Sequence, residues 1–392
     1  MRVLLLSAYE AVSHRYWAQS LMAQLEEVSW TQLSLPPRHF AWRIRGNPLS
    51  WMLKEHDTLS QSFDVVLATS MVDLATLVGL FPHLGRAKKV VYFHENQFAY
   101  PESSDQMPQV EAKMVNLYTA LAADSVVFNS AYNRDSFIDG ARAFLKKMPE
   151  NLPAAKPLEA IRERAMVLPV PIPDSTAPEN LAPENLAPEN LAPENLAPEN
   201  VELENLASKN LAPCQQTVFQ KMVPQRIIWN HRWEYDKNPD DFFTVLFALS
   251  EAGVAFELAV LGQRFRQVPA IFAEAEQRLA KHIVAWEPQP EEAYRELLDS
   301  ADIVVSTTWH EFQGLAIMEA AQRGALPLVP DRLCFPALYP PAYRYDGTRE
   351  GLYDRLSAWL NDPATRPELL DTTAWEWPAW REAYRQLLMS ST

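Results

Sequence analysis

The segment ADIVVSTTWHEFQGLAIMEAAQRGALPLVP, residues 301–330, decides the fold. It opens on an apolar run, ADIVVSTT (301–308), turns through a polar stretch, continues as a helix towards Arg323-Gly324, and closes on a second apolar run, ALPLVP (325–330). Two buried strands joined through a helix form a parallel crossover unit, whose strands are covered on both faces and therefore read as continuous apolar runs. The same rhythm precedes it in RIIWN (226–230), FELAVLGQ (256–263) and HIVAW (282–286). It also runs through the first half, in RVLLLSA (2–8), FDVVLATS (63–70), KVVYFHE (89–95), SVVFNS (125–130) and AMVLPVPI (165–172). Helix-length amphipathic stretches, such as Ser13 to Glu26 and Val110 to Ala123, lie between several of these runs. The chain thus reads as α/β, with two doubly wound parallel halves, and 392 residues is ample for two cores.

Between the halves the pentapeptide LAPEN repeats from Leu181 to Asn200 and decays towards Leu211-Ala212-Pro213. Its period is too short for a solenoid, and with recurrent Pro and only Leu to bury it reads as a disordered linker without chemistry. From Ser175 to Pro213 it holds seven Glu and one Lys, and so carries six of the fifteen net negative charges. The expected domains are 1–174, a linker over 175–223, a second domain over 224–372, and a C-terminal helix over 373–392 that crosses back to the first. An acidic chain excludes broad attraction to nucleic acid or anionic lipid, so an RNA partner requires a local basic patch. The two cysteines, Cys214 and Cys334, make no metal or disulfide pattern, which fits a reducing cytoplasm. The opening MRVLLLSAYE is too short for a secretory signal core, and no run is long enough to span a bilayer.

Ligands in such sheets bind beyond the carboxyl ends of the strands, and the polar clusters follow the strands directly. In HEFQGLAIMEA (310–320), Glu311 and Glu319 lie eight residues apart around Gly314, where the backbone can approach a ligand closely. The amides of Gln313, Gly314 and Leu315 at a helix start suit a diphosphate. Glu311 suits sugar hydroxyls, and Glu319, placed over two turns into the helix region, suits ribose hydroxyls. In IIWNHRWEYDKNP (227–239), Arg232 and Lys237 suit the charge of a diphosphate leaving group. In VVYFHENQFAYP (90–101), His94, Glu95, Asn96 and Gln97 face the expected cleft, as contacts to a donor sugar or acceptor or as fixers of the loop. Asn129 and Ser130 follow the next strand, Ser130 as a helix cap. PPRHFAWRIRGNPLSWMLK (36–54) interleaves Arg38, Arg43, Arg45 and Lys54 with Phe40, Trp42 and Trp51 and contains no acid, a pattern that suits looped RNA or an amphipathic packing element.

At these residues the chain resembles retaining glycosyltransferases of GT-B architecture, two Rossmann-like domains facing across a cleft. HENQFAYP, FNSAYNRDSF, WNHRWEYDKNP, HEFQGLAIMEA and Trp42-Arg43-Ile44-Arg45 are similar to the tRNA-queuosine mannosyltransferase family, also called glycosyltransferase-like domain-containing protein 1. The likeness runs from residue 2 to about 385, the linker excepted. It implies transfer of mannose from GDP-mannose to queuosine at the wobble position of aspartate tRNA with retention, read at the anticodon loop. It further implies Arg232 and Lys237 at the diphosphate, Glu319 at the ribose, Glu311 at mannose hydroxyls and His94 near the reacting carbon. No covalent nucleophile, cofactor or catalytic metal is implied beyond the donor itself. Two departures stand out: Ala11-Val12 precedes Ser13-His14 where the family tends to carry Gly-Gly, and the linker is long. The alternatives are a GT-B enzyme acting on a lipid, glycan or small molecule, and a tRNA-binding protein with a degenerate donor site.

Overall fold

The computed structural model describes residues 1–99, 110–149, 155–176, 224–264 and 267–390. The LAPEN repeat and Cys214 lie outside the described residues.

The first half holds β1 (Arg2–Ser7), β2 (Ser29–Ser34), β3 (Val65–Thr69), β4 (Lys88–Phe93), β5 (Ser125–Phe128) and β6 (Ala165–Val167). The second holds β7 (Gln225–Trp229), β8 (Phe256–Val260), β9 (Ile283–Trp286), β10 (Ile303–Val305), β11 (Leu326–Pro330) and β12 (Arg344–Tyr345). Each set forms one six-stranded parallel sheet, ordered β2-β1-β3-β4-β5-β6 and β12-β11-β10-β7-β8-β9. Both orders reverse at one place, between β1 and β3 in the first sheet and between β7 and β10 in the second. That reversal splays the loops leaving the two strands and opens the crevice in which doubly wound folds bind ligands.

Central strands follow the expectation: β3 is buried throughout, as is β10. Two strands had no clear apolar signal. β2 (SWTQLS) is an edge strand with one fully buried residue, and β12 is two residues long.

The halves are joined where one core ends and the other begins. Leu168 and Val170 pack in the first half's core, while Ile172, two residues on, is already in the second. Near the C-terminus the chain returns: Trp375 belongs to the second core and Trp377 to the first. The two crossings lie side by side, Ile172 N–H donating to Trp375 O (2.9 Å) and Trp377 N–H to Ile172 O (3.2 Å). The crossing at Ile172 thus comes just ahead of the boundary expected after residue 174. The final helix, Trp377–Met389, buries Trp377, Tyr384, Leu387 and Leu388 on one face, which is why its alternation of aromatic and charged residues packs against the first half. Among the described residues no helix is long and apolar enough to cross a membrane.

Candidate active site

At the reversal of the second sheet, β7 leads into Asn230-His231-Arg232 and a 3-10 turn, Tyr235–Lys237, while β10 leads into Ser306 to Glu311. The two loops are laced together. Thr307 Oγ1 donates to the carbonyls of Lys237 and Asn238 (2.9 Å each), Thr308 Oγ1 to Asp236 O (3.0 Å), and Trp309 N–H to Asp236 O (2.8 Å). Arg332, beyond β11, braces the same loop by donating to Thr307 O (2.8 Å) and Thr308 O (3.1 Å). A third loop closes against them after β8. A Cβ on Gly262 would stand 1.4 Å from His231 O, so only glycine permits that approach.

The lacing brings Lys237 and Glu311 together. Lys237 Nζ donates to His310 O (2.7 Å) and stands 3.4 Å from Glu311 Oε2 and 3.3 Å from Asp236 Oδ2. Burial alone would lower the Lys237 pKa, but Glu311 and Asp236 outweigh it and hold the ammonium above the ordinary lysine value. Burial likewise pushes Glu311 up, yet Lys237, His231 and His310 draw it below the ordinary carboxylate. Both groups are therefore ionised near neutrality. Arg232, 44% exposed along its side chain, pairs with Glu234 at 3.0 Å and lies 3.9 Å from Asp236. Two cations among three carboxylates leave room for an anion only where the cations exchange partners.

The helix that follows, Leu315–Gln322, starts from Gly314 in the left-handed region (φ 80°). The amides of Gln313 to Leu315 thus stand at the positive end of its dipole. The Gln313 side chain turns the other way and bridges the halves, accepting from Val170 N–H (2.9 Å) and donating to Val170 O (2.8 Å). Leu315 packs against the first half's core. Glu319 is the helix's fifth residue, just past one turn rather than over two, and is buried rather than solvated. Burial drives its pKa up to about 7, an effect that Arg323 and the Tyr294 hydroxyl (3.2 Å) offset only in part.

Across the cleft, His94 directly follows β4 and is buried, its ring stacked on His14 (4.2 Å) and edge-on to Trp17 (4.8 Å). Its Nε2 is buried without a hydrogen-bond partner, and burial, then the neighbouring His14, hold its pKa well below the usual value. His94 is thus a neutral imidazole with one unsatisfied nitrogen. Tyr9 and Glu234 both feel the charge of Glu95, and Tyr9 that of Arg232 as well, so the loops after β1, β4 and β7 share one electrostatic neighbourhood.

Asn96 and Gln97 require a correction. Asn96 is fully buried, donates to Asn133 O, Asn133 Oδ1 and Ser136 Oγ, and accepts from the N–H groups of Phe98 and Ala99. Gln97 is buried too, with its N–H on Asn116 Oδ1 and its amide against Met71 Sδ (3.9 Å). A strand-end loop must satisfy its own backbone: the Asn96 side chain does so for Phe98 and Ala99, and the Asn116 side chain does so for Gln97, whose own side chain is packed inside against Met71 in place of meeting an acceptor. Asn129 donates to His94 O (2.8 Å), and Ser130 caps its helix by accepting from Asn133 N–H (3.1 Å).

The basic stretch folds as a helix, Phe40–Lys54, in the first half. Trp42 lies across Gly46, where a Cβ would meet the indole at 2.4 Å, and its outer face is open at 52% exposure. Arg38 is exposed and Arg43 half-buried, whereas Arg45 is bound at 2.5 Å to the buried Asp73, itself the cap of the helix Leu74–Leu80. Arg45 therefore anchors the helix as well as charging it. Ala11, where Gly-Gly was expected, caps the helix Val12–Gln24 at φ −65°, so that turn needs no glycine. Sequence reasoning missed Asn230, Tyr294, Gly262 and Arg332. Of these, Asn230, directly after β7, and Gly262, two residues past β8, stood at strand ends where a signal could be read.

Residues 2–172 match the family described as tRNA-queuosine alpha-mannosyltransferase N-terminal. The tRNA-queuosine alpha-mannosyltransferase of Drosophila melanogaster is 30% identical over 347 residues, 88% of this chain and 83% of that one. Among solved structures, sucrose-phosphate synthase from Thermosynechococcus elongatus superposes with a TM-score of 0.64 at 12% identity, over 100% of both chains. A glycosyltransferase from Rickettsia africae superposes with a TM-score of 0.59 at 13% identity, over 100% of this chain and 99% of that one.

Proposed function

The chain belongs to the tRNA-queuosine alpha-mannosyltransferase family and is a glycosyltransferase, and on that premise we propose that it moves mannose from GDP-mannose to queuosine at the wobble position of aspartate tRNA, with retention at the anomeric carbon. The observation that carries this reading is the juxtaposition of Lys237, Glu311 and Glu319 around one helix start at the reversal of the second sheet. In this reading the donor diphosphate takes Lys237 and Arg232 as counter-ions and the amides of Gln313 to Leu315 as donors, which stabilises the charge left as the glycosidic bond breaks. Glu311, released from part of its pairing with Lys237, accepts from mannose hydroxyls, and Glu319 accepts from the ribose. His94 offers its unsatisfied nitrogen to the sugar near the reacting carbon. The leaving phosphate takes the acceptor hydroxyl's proton on the face it vacates, so no protein nucleophile is called on. Trp42, Arg38 and Arg43 meet the anticodon loop through base stacking and phosphate contacts.

The test is incubation of the protein with queuosine-containing tRNA and, in parallel, GDP-mannose, UDP-glucose and UDP-galactose, followed by mass spectrometry of the nucleosides. A hexose added from GDP-mannose and lost in Glu311→Ala supports donor and site together. Addition from a UDP-sugar alone would overturn the donor assignment, and no addition from any donor would overturn the acceptor.

A further inference from the structure

Glu319 is not held by its own helix. Tyr294, on the helix Glu291–Asp299 that links β9 to β10, is 2% exposed and donates its hydroxyl to Glu319 Oε2 at 3.2 Å. Asn230, the first residue beyond β7, donates Nδ2 to that same hydroxyl at 3.4 Å and to Ala316 O at 2.9 Å. The three side chains come from three separate connections of the second sheet and form one buried chain of hydrogen bonds. Burial, then the Glu319 charge, keep the Tyr294 hydroxyl protonated far beyond its ordinary pKa, so it remains a donor throughout the working range. Glu319 Oε1, by contrast, accepts no bond from any described residue, and Asn230 Oδ1 is buried without a partner.

A carboxylate with one oxygen pinned and the other open is an acceptor aimed in one direction. We propose that Tyr294, braced by Asn230, is a positioning residue that fixes Glu319 so that Oε1 receives a hydroxyl of the donor's ribose. It makes the second half selective for ribonucleotides over their deoxy counterparts. This rests on the proposed role of Glu319 at the ribose and assigns the residues that make that role selective. Discrimination of this kind arises because a buried acceptor that loses its donor is left unpaired, provided it cannot swing away to water. Without the Tyr294 hydroxyl the carboxylate can rotate, and the missing ribose hydroxyl then costs little.

The experiment titrates full-length protein with GDP, 2′-deoxy-GDP and 3′-deoxy-GDP, and with the three uridine equivalents, for the wild type, Tyr294→Phe and Asn230→Ser. In the wild type, loss of the recognised hydroxyl weakens binding by about tenfold or more. In Tyr294→Phe, binding of the ribonucleotide weakens by about tenfold while the deoxy penalty shrinks towards unity. Asn230→Ser moves in the same direction by less and keeps the question open should Tyr294→Phe fold poorly. In turnover, donor KM rises while kcat at saturating donor and the acceptor KM stay put, which a general loosening of the fold would not produce. A deoxy penalty equal in wild type and both variants overturns the proposal. Binding of neither ribonucleotide to the wild type would instead overturn the donor reading beneath it.

Discussion

Replacing Glu319 by Gln should make the protein more stable and less able to bind its donor, in a way that pH reveals. Folding raises the Glu319 carboxyl from the ordinary 4.5 to about 7. A carboxyl so displaced favours the folded state only while it is protonated, so its contribution is intact below pH 4.5 and is lost as pH rises to about 7. A displacement of that size is worth up to about 3 kcal/mol of folding free energy above pH 7. Gln has nearly the same shape, accepts from the Tyr294 hydroxyl, and has no charge to bury. The expected result is little difference between Glu319→Gln and wild type at pH 5, and at pH 8 a variant melting higher by several degrees. Nucleotide affinity at pH 8 should meanwhile fall about 10- to 100-fold, because a neutral amide is a weaker acceptor than a carboxylate. Thermal unfolding at the two pH values and nucleotide titration at pH 8 read both quantities. A variant less stable than wild type at pH 8, or a stability difference that does not change with pH, would refute the argument that burial dominates at this carboxylate.

Three other sets of substitutions test the site and the proposed RNA surface. Lys237→Met leaves Asp236 and Glu311 facing each other without their cation, and should cost about 3–5 kcal/mol of stability together with nucleotide binding; denaturant unfolding checks it, and Lys237→Met with Glu311→Gln should recover part of the loss. Gly262→Ala drives a methyl into His231 O and should displace the Arg232 loop, seen as a lower melting temperature and weakened nucleotide binding; unchanged values would mean that the loop has slack. Trp42→Ala combined with Arg43→Glu should weaken tRNA binding by about tenfold or more and leave nucleotide affinity intact, as measured by filter binding at fixed salt. Arg45 is left alone in that test because its loss would strand the buried Asp73.

What could be read from the chain follows from where burial acts on both sides of a residue. β3, β10 and β11 are buried at every position, so all but Thr69 at the end of β3 are apolar, although the run 301–308 reaches well beyond the three residues of β10. β2 and β12 lie at sheet edges, where little burial is demanded and composition carries no mark. The same reasoning separates the site residues. Lys237, Glu311 and Glu319 stood out as charges next to apolar runs, and the structure places all three around one helix start. Asn96 gave the same signal for another reason, since a tight loop under a buried strand end needs a side-chain acceptor for its own amides, and Gln97 beside it is buried against Met71. Tyr294 gave none, because an aromatic residue on the inner face of an amphipathic helix looks like packing whether or not its hydroxyl has a task. Likewise Arg45 reads as a surface cation until Asp73, 28 residues away in sequence, is found beneath it.

The paired crossings at Ile172 and Trp375 bear on how the repeat could grow. Because Ile172 is already seated in the second core, the segment between Thr176 and Pro224 leaves from and returns to a position that the earlier residues have fixed. It does not set the span between the halves. Adding or removing whole LAPEN units keeps the reading frame, and the closure entropy of a connection grows by only about 0.6 kcal/mol per doubling of its length. Variants of the chain that differ only in the number of LAPEN units should therefore turn over alike, because the anchored crossings at Ile172 and Trp375 stay as they are.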